Sequence, residues 1–252
     1  MNETLRVAMT ERGLSCEALA EKVGVDPKTV NRWLSPGRIP HGRHRSAAAK
    51  ILGREILDLW PDAGRRRDVP WFRPWREAEE AAASLRWFEP SVIPGLLQTE
   101  AYARAVLASG PIAAEDVERF VKVRLERQRA VFDRPRPPLA VFVVDEAALR
   151  RGAPELMHEQ LDHLVEMASR PNIFVHVIPF SAGLYPGQAG PFVIGGVEGS
   201  RDVSYLDNQL AGQLVTDPKE VAELVRVWDA VRGHALPRDL SIELMRARPW
   251  TK

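Results

Sequence analysis

Cationic and hydrogen-bonding side chains are concentrated in one stretch, GVDPKTVNRWLSPGRIPHGRHR, which runs from Gly24 to Arg45. At about 100° per residue on a helical wheel, the polar residues near its start lie opposite Val30, Trp33 and Leu34. Asparagine and arginine can read the edges of adenine and guanine with paired hydrogen bonds, and nearby cations suit phosphate contacts. The stretch therefore predicts a DNA-binding surface. Its predicted members are Lys28, Thr29, Asn31, Arg32, Arg38, Arg43, His44 and Arg45.

Two short helices must position that surface. Ser15 can cap a first helix whose apolar face includes Ala20, and Gly24 is typical of the residue that follows a helix. Asp26 and Pro27 favour the start of a second helix, because the carboxylate accepts a free N–H group and proline tolerates the first helical position. Two helices joined by a tight glycine turn predict a helix-turn-helix unit, whose second helix enters the major groove.

Residues 5–60 resemble the Cro/xenobiotic-response-element (XRE) type of helix-turn-helix domain. The segment LSCEALAEKVGVDPKTVNRWLSPGRIP, from Leu14 to Pro40, carries the resemblance. It implies five helices, the last two around His44–Leu52 and Arg54–Trp60. Many relatives hold a phosphate with glutamine where this chain has Cys16, so that contact is not expected here. The residues that the resemblance implies at bases and phosphates are Lys28, Thr29, Asn31 and Arg32.

Charge is divided unevenly along the chain, although the net charge is only +1. Residues 1–67 carry 13 Lys and Arg against 8 Asp and Glu, and residues 68–252 carry 22 against 26. A small basic domain joined to a larger, mildly acidic domain is typical of a protein that binds a polyanion and also carries a regulatory domain. The charged start, the single cysteine and the lack of an apolar run of about 18 residues predict a cytoplasmic protein without a disulfide or a membrane span.

The order of elements predicts an α+β protein of two domains. We expect an all-α five-helix domain over residues 1–61, a linker over 62–75 and a larger mixed domain with a small sheet over 76–252. The predicted helices of the larger domain are Arg76–Phe88, Thr99–Ala108, Ala114–Phe132, Pro154–Ser169, Pro218–Arg232 and Arg238–Ala247. The predicted strands are Leu139–Val144, Ile173–Ile178, Phe192–Ile194 and Val203–Leu206. Arg65, Arg66 and Arg67 of the linker either contact DNA or are solvated.

A second resemblance covers most of the larger domain. Five segments carry it: FEPSVIPGLLQTEAYARAVL from Phe88, RLERQ from Arg124, VVDEAALRR from Val143, EQLDHLVEMASRPNIFVHVIPFSAGLYPGQAGPFVI from Glu159 and VSYLDN from Val203. They are similar to the domain of unknown function that follows helix-turn-helix modules in many actinobacterial antitoxin-like regulators. The resemblance implies a regulator that binds a small partner protein encoded beside it.

Possible catalytic or metal sites in the larger domain are weakly supported. His158 with Asp162, and Glu159 with His163, are four residues apart on a predicted helix, but a zinc site needs three or four ligands. The glycine-rich segment 183–196 lacks the GK[ST] ending of a phosphate-binding loop. Ser181 and His176 lack an identifiable third partner. Asp145 is expected to cap a helix. We therefore predict no enzyme, no catalytic residues, no metal and no cofactor.

The segment PFSAGLYPGQAG, from Pro179 to Gly190, joins two predicted strands and carries an aromatic residue among glycines. Such a loop can line a cleft or a partner groove, because binding residues are often placed on loops. We predict partner or ligand binding at Tyr185, Gln188 and Phe192.

Together these features predict a sequence-specific, antitoxin-like transcriptional regulator that binds double-stranded DNA. A homodimer is expected, because one short helix reads few base pairs and paired half-sites supply the rest. The larger domain would dimerise, bind a small partner protein, or both. Two alternatives remain at this point: a repressor that senses a small-molecule effector, and an enzyme with a DNA-tethering module.

Overall fold

The computed structural model describes residues 2–35, 38, 40, 42–60, 73–110, 113–207 and 212–250. The chain divides into two compact units, Met1–Pro70 and Trp71–Lys252. The expected linker, residues 62–75, lies outside the described residues as far as residue 72, and its last residues belong to a helix. Arg65, Arg66 and Arg67 also lie outside them.

The smaller unit consists of five helices over its described part, as the first resemblance implied. They are α1 (Glu3–Glu11), α2 (Cys16–Val23), α3 (Pro27–Trp33), α4 (Gly42–Leu52) and α5 (Ile56–Leu59). All contribute apolar side chains to one core, in which Leu5, Leu19 and Val30 are fully buried. The apolar sides of α1, α2 and α3 thus pack around a common centre.

The larger unit combines helices with a sheet of six strands. Its helices are α6 (Arg73–Ala81), α7 (Glu100–Ala108), α8 (Ala114–Phe132), α9 (Glu146–Arg150), α10 (Pro154–Ser169), α11 (Pro218–Gly233) and α12 (Arg238–Ala247). Its strands are β1 (Ser84–Glu89), β2 (Leu139–Asp145), β3 (Ile173–Ile178), β4 (Phe192–Gly196), β5 (Val203–Asp207) and β6 (Gly212–Val215). Short 3₁₀ turns lie at Gly95–Leu97 and Phe180–Ala182.

The sheet is mixed, with the strand order β3-β2-β1-β4-β5-β6. Strands β1, β2 and β3 run parallel, whereas β4 pairs antiparallel with β1, and β5 and β6 continue antiparallel. The prediction of an α+β protein with an all-α N-terminal part is confirmed.

Apolar side chains cover both faces of the sheet. Successive residues of a strand point to opposite faces, and Phe142 and Val143 accordingly belong to different cores. The core around Phe142 includes Leu161 of α10 and Met245 of α12. The core around Val143 includes Trp228 of α11. The central strands are therefore buried between helical layers.

The expected helix Arg76–Phe88 is wrong in its second half. The helix ends at Ala81, and Ser84–Glu89 forms β1, a central strand between β2 and β4. Spacings of three between apolar residues, as in Ala82, Leu85 and Phe88, also suit a helix. Backbone pairing with two strands that are distant in sequence outweighs this local preference.

A buried ion pair attaches α6 to α8. The Nε and one terminal nitrogen of the Arg127 guanidinium donate to the two carboxylate oxygens of Glu79 at 2.5 and 2.7 Å, and the Glu79 side chain is fully buried. The Arg127 guanidinium also lies over the Trp87 ring of β1, at 5.4 Å from its centre. These contacts hold the start of the larger unit against its sheet. No described helix is long and apolar enough to cross a lipid bilayer.

Candidate functional site

The turn between α2 and α3 has the geometry expected from its residues. The Ser15 hydroxyl accepts a hydrogen bond from the Ala18 N–H at 3.2 Å, which confirms the predicted cap of α2. Gly24 has the left-handed φ of 78° after the helix, and its N–H donates to the Ala20 carbonyl at 2.9 Å. The Asp26 carboxylate accepts from the Lys28 N–H at 2.7 Å and caps α3. All three capping predictions are confirmed.

Helix α3 has one buried side and one exposed side. Val30 is fully buried and Trp33 is 5% exposed, whereas Asn31 and Arg32 are exposed. Lys28 is also exposed and Thr29 is half-buried. The separation of packing and hydrogen-bonding residues therefore follows the helical wheel, and the side chains suited to base contacts are accessible.

The buried side of α3 is tied to the two ends of the unit. The Asn2 N–H donates to the Leu34 carbonyl just after α3 at 2.7 Å, and the Asn2 amide donates to the Leu59 carbonyl of α5 at 2.8 Å. The Trp33 ring packs edge-on against Trp60, with centres 6.3 Å apart. These contacts hold α3 on its buried side and leave its other side exposed.

The cations after α3 fall into two groups. Arg38 and Arg43 are exposed. His44 and Arg45 are half-buried: the His44 ring lies 6.3 Å from that of Trp33, and the Arg45 Nε is buried without a hydrogen-bond partner among the described atoms. The Arg43 Nε donates to the His44 Nε2 at 3.2 Å. Arg38 and Arg43 are thus available for phosphate contacts, whereas His44 and Arg45 also pack.

Cys16 begins α2 at the position where many relatives of the resembled type carry glutamine. It is half-buried and packs against the core of the smaller unit. Burial, followed by the charge of Glu17, raises the pKa of its thiol. This environment suits a small apolar residue, and a thiol offers only a weak hydrogen bond to a phosphate.

A second feature is a cavity of about 580 Å³ in the larger unit. It lies where β1 and β2 end, where β5 ends and where β4 begins. The residues that line it are Pro90, Ser91, Asp145, Ala147, Pro179, Phe180, Gly183, Tyr185, Gln188, Ala189, Gly190, Pro191 and Asp207.

The loop that precedes β4 contributes most of this lining. Of the three residues predicted for partner or ligand binding, Tyr185 and Gln188 line the cavity and lie together. Phe192 does not line it: this side chain is 4% exposed and packs against Phe88 in the core, with ring centres 5.6 Å apart. Phe192 thus supports the base of the loop.

Asp145 links the end of β2 to the loop. One carboxylate oxygen accepts from the Ala147 N–H at 2.7 Å, which confirms the predicted cap of α9, and the other accepts from the Tyr185 hydroxyl at 2.5 Å. Burial, then the hydrogen bond and the charge of Asp145, raise the pKa of the Tyr185 phenol. Tyr185 therefore keeps its proton at neutral pH and donates a hydrogen bond to the Asp145 carboxylate.

Ser91 and Asp207 line the cavity, but neither was predicted as a site residue from the sequence, whereas Phe180 lies in the loop that was predicted to line a cleft. Ser91 and Asp207 follow or end strands that are far apart in sequence. The available signal was their position: carboxyl ends of parallel strands meet at one edge of a sheet. Using that signal requires the strand order, and β1 was not predicted as a strand.

Three of the residues considered for metal binding or catalysis, Asp162, His163 and His176, have other contacts. Asp162 pairs with Arg248, and the His163 Nδ1 lies 3.9 Å from Glu166. The His176 Nδ1 lies 3.0 Å from the Leu236 carbonyl, so this ring packs against the segment before α12. Within the described ranges, no three His, Cys, Asp or Glu side chains are grouped so that they could hold a metal ion.

Residues 72–247 match the family described as a domain of unknown function, DUF5753. The chain belongs to this family. The matched range contains the whole sheet and every residue that lines the cavity of the DUF5753 domain. It begins after the five-helix unit, so it does not bear on the helix-turn-helix resemblance. No curated protein and no solved structure matches the chain.

Proposed function

We propose that the protein is a sequence-specific DNA-binding transcriptional regulator of antitoxin-like type. In this proposal the five-helix unit is a Cro/XRE-type domain that contacts an operator, and the DUF5753 domain receives a regulatory signal. The observation that supports the proposal most is the exposure of Asn31 and Arg32 on a helix whose opposite side, Val30 and Trp33, is buried.

The chemistry of the exposed side suits duplex DNA. Asn31 can pair with adenine and Arg32 with guanine, each through two hydrogen bonds in the major groove. Lys28, Arg38 and Arg43 are exposed cations in the same unit and supply phosphate contacts, which set position and affinity more than sequence choice. His44 and Arg45 are half-buried, and their exposed parts add further phosphate contacts.

A homodimer is part of the proposal. Helix α3 has seven residues, which corresponds to a length of about 10 Å at 1.5 Å per residue. A helix of that length contacts only a few base pairs, so selectivity requires a second copy on a half-site about 34 Å away. The DUF5753 domain would supply the dimer surface, a surface for a small partner protein, or both.

A second candidate is a repressor that responds to a small molecule. The cavity at the strand ends favours it, because its volume of about 580 Å³ falls in the range of small-molecule sites, about 300 to 1,000 Å³. In both candidates the five-helix unit binds DNA, and they differ in the signal that the DUF5753 domain receives.

Selection of duplexes from a random pool with the full-length protein tests the proposal. We expect enrichment of one sequence with two related half-sites, and binding that weakens steeply as salt increases because phosphate contacts release counterions. Retention of all duplexes with equal affinity would contradict sequence-specific binding, and retention of none would contradict DNA binding altogether.

A further inference from the structure

The turn Gly95–Leu97 is joined to helix α8 by hydrogen bonds from buried and half-buried amide side chains. The Gln128 amide of α8 donates to the carbonyls of Gly95 at 2.9 Å and of Gln98 at 2.8 Å. The Gln98 amide in turn donates to the Ile93 carbonyl at 2.6 Å. These contacts hold the turn against α8, beside two arginines of that helix. Both stretches of chain carry the second resemblance, and the proposed function gives them no role.

One of these arginines, Arg127, is paired with a carboxylate. Glu79 accepts from its Nε and from one terminal nitrogen, and the Arg127 side chain is only 13% exposed. The positive charge of Arg127 is therefore offset within the fold.

The other arginine, Arg124, is half-buried and lacks a carboxylate partner among the described residues. Its Nη1 donates to the Gln98 Oε1 at 2.6 Å, and this amide oxygen is a neutral acceptor. Burial, followed by the charge of Arg127, lowers the pKa of the Arg124 guanidinium to about 10, so the group is still charged at neutral pH. A partly desolvated cation without a counter-charge is unfavourable, and a bound anion would offset it.

The Arg124 guanidinium retains hydrogen-bond donors for a ligand. A guanidinium has five N–H groups, and Arg124 uses only Nη1 toward a described acceptor. Other half-buried arginines, such as Arg45 and Arg238, have an unpaired Nε that is fully enclosed, whereas no nitrogen of Arg124 is enclosed in this way. The remaining N–H groups of Arg124 are therefore accessible from solvent.

Both guanidinium groups border a space beside Gly95. A Cβ added to Gly95 would lie 3.8 Å from the Arg127 Nη1 and 3.9 Å from the Arg124 Nε. Outside the turn and its chain neighbours, it would meet no other described atom within 4 Å. A charge-assisted hydrogen bond from a guanidinium to a carboxylate spans about 2.7 to 2.9 Å, so the space that glycine leaves open can take a ligand oxygen.

We propose that this space binds the carboxylate group of a small organic molecule, with Arg124 as the main contact and Arg127 as a second positive charge beside it. Guanidinium groups match the planar geometry of a carboxylate. A carboxylate also balances the single charge of Arg124, whereas a phosphate group, with a charge of about −1.5 to −2, would exceed it. The cavity at the strand ends is a separate feature, since neither arginine lines it. Binding at Arg124 requires no DNA.

Titration of the full-length protein, followed by NMR of its arginine side chains, tests the site. The probes are propionate and benzoate, with propionamide and benzamide as their neutral counterparts and phosphate as the other oxyanion, all at constant ionic strength. The Nε–H resonance of Arg124 is identified by its absence from the spectrum of Arg124→Gln. We expect this resonance to shift and saturate with at least one carboxylate, which binds at least about tenfold more tightly than its amide.

Three results of this titration would overturn the proposal. They are the absence of saturation with either carboxylate up to about 10 mM, equal binding of the amides, and tighter binding of phosphate than of both carboxylates. The first would remove the site, and the other two would remove the carboxylate as its ligand.

Two substitutions with matched controls locate the site. Arg124→Gln removes the charge, and Arg129→Gln is its control, because Arg129 is an exposed arginine of the same helix. Gly95→Ala places a methyl group in the proposed space without backbone strain, since Gly95 does not have a positive φ. Its control is Gly233→Ala, where an added Cβ would meet no described atom within 4 Å.

Calorimetry with the tighter-binding carboxylate measures the affinities of these variants. We expect Arg124→Gln and Gly95→Ala each to weaken binding by about tenfold or more, and both controls to bind as the wild type does. Because Gly95→Ala retains both arginines, its effect separates occupation of the space from a general loss of positive charge. Full affinity in either Arg124→Gln or Gly95→Ala, or an equal loss in either control, would overturn the assignment of the site.

Discussion

At the scale of single residues, Asn31 and Arg32 carry the proposed base contacts. Adjacent residues on a helix diverge by about 100°, so the two side chains cannot serve the same base pair in the same way. Both are exposed, and the helix beneath them is anchored through Val30 and Trp33. Substitutions of Asn31 and of Arg32 should therefore have separate effects on the base preference of the protein.

Arg32→Ala should weaken binding to the selected operator and relax the preference at one base position by about 1 to 3 kcal/mol, because a paired contact to guanine is lost. Competition binding against operators changed at single positions measures both effects. Arg54→Ala is the control, since Arg54 is an exposed arginine of the same unit that is paired with Glu11 at 2.6 Å. An equal loss on every operator would identify Arg32 as a phosphate contact instead.

Glu89, at the end of β1, is a second residue with a measurable effect. It is 9% exposed, and burial raises the pKa of its carboxyl from 4.5 to about 7, with a smaller contribution from the charge of Asp207. The folded form keeps this proton above pH 4.5, where the unfolded form loses it. Stability therefore falls as the pH rises from about 4.5 to about 7, and the contribution of this group is fully present only below that window.

Glu89→Gln should remove this fall, which amounts to about 3 kcal/mol across the window. Chemical denaturation of the DUF5753 domain within the full chain, repeated between pH 4 and pH 8, measures it. Glu198→Gln, at an exposed carboxylate, should leave the pH profile unchanged. A Glu89→Gln profile that still falls with the slope of the wild type would show that another group causes it.

At the scale of elements, the turn between α2 and α3 determines how the exposed side of α3 is presented. Gly24 has a φ of 78°, and a Cβ added there would meet no atom within 4 Å. The requirement for glycine is thus conformational and not steric. Non-glycine residues pay about 1 to 2 kcal/mol for the left-handed conformation.

Gly24→Ala should therefore lower the local stability of α2 and α3 by about 1 kcal/mol, since the strain is the only cost. Amide hydrogen exchange of the two helices measures this loss as a roughly fivefold to tenfold decrease in protection. Gly24→Asn should cost less, because asparagine tolerates the left-handed region better. Equal protection in the wild type and Gly24→Ala would show that this turn does not limit local opening.

At the scale of the whole molecule, the chain folds into two units with separate cores. The proposed function assigns DNA binding to the five-helix unit and reception of the regulatory signal to the DUF5753 domain. The core around Leu19 belongs to the five-helix unit, and those around Phe142 and Val143 belong to the DUF5753 domain. The charge is divided in the same way, with excess cations in residues 1–67 and excess carboxylates in residues 68–252. A basic five-helix unit that binds DNA and a mildly acidic DUF5753 domain that receives the signal fit the proposal.

The full-length protein should sediment as a dimer, at twice the 28.2 kDa of one chain. An operator with both half-sites should bind at least about tenfold more tightly than one with a single half-site, because the second contact becomes intramolecular. Analytical ultracentrifugation and titration of the two duplexes measure these quantities. A monomer that binds both duplexes equally would contradict the dimer.

Local signals in the sequence determined much of the fold. Ser15, Gly24 and Asp26 delimit α2 and α3 because capping depends on residues only two to four positions apart. The amphipathic pattern likewise placed α8 and α10 at their observed bounds, since a helix forms its hydrogen bonds within itself. The side of α3 that is exposed also follows from this periodicity.

Tertiary structure alone decided which strands lie side by side and which residues meet at their ends. Ser84–Glu89 is a strand because β2 and β4 pair with it, and both are distant in the chain. The cavity joins Ser91, Asp145, Tyr185 and Asp207 from separate elements. Strand partners are chosen by non-local hydrogen bonds and by burial of both sheet faces, which no short window of sequence contains.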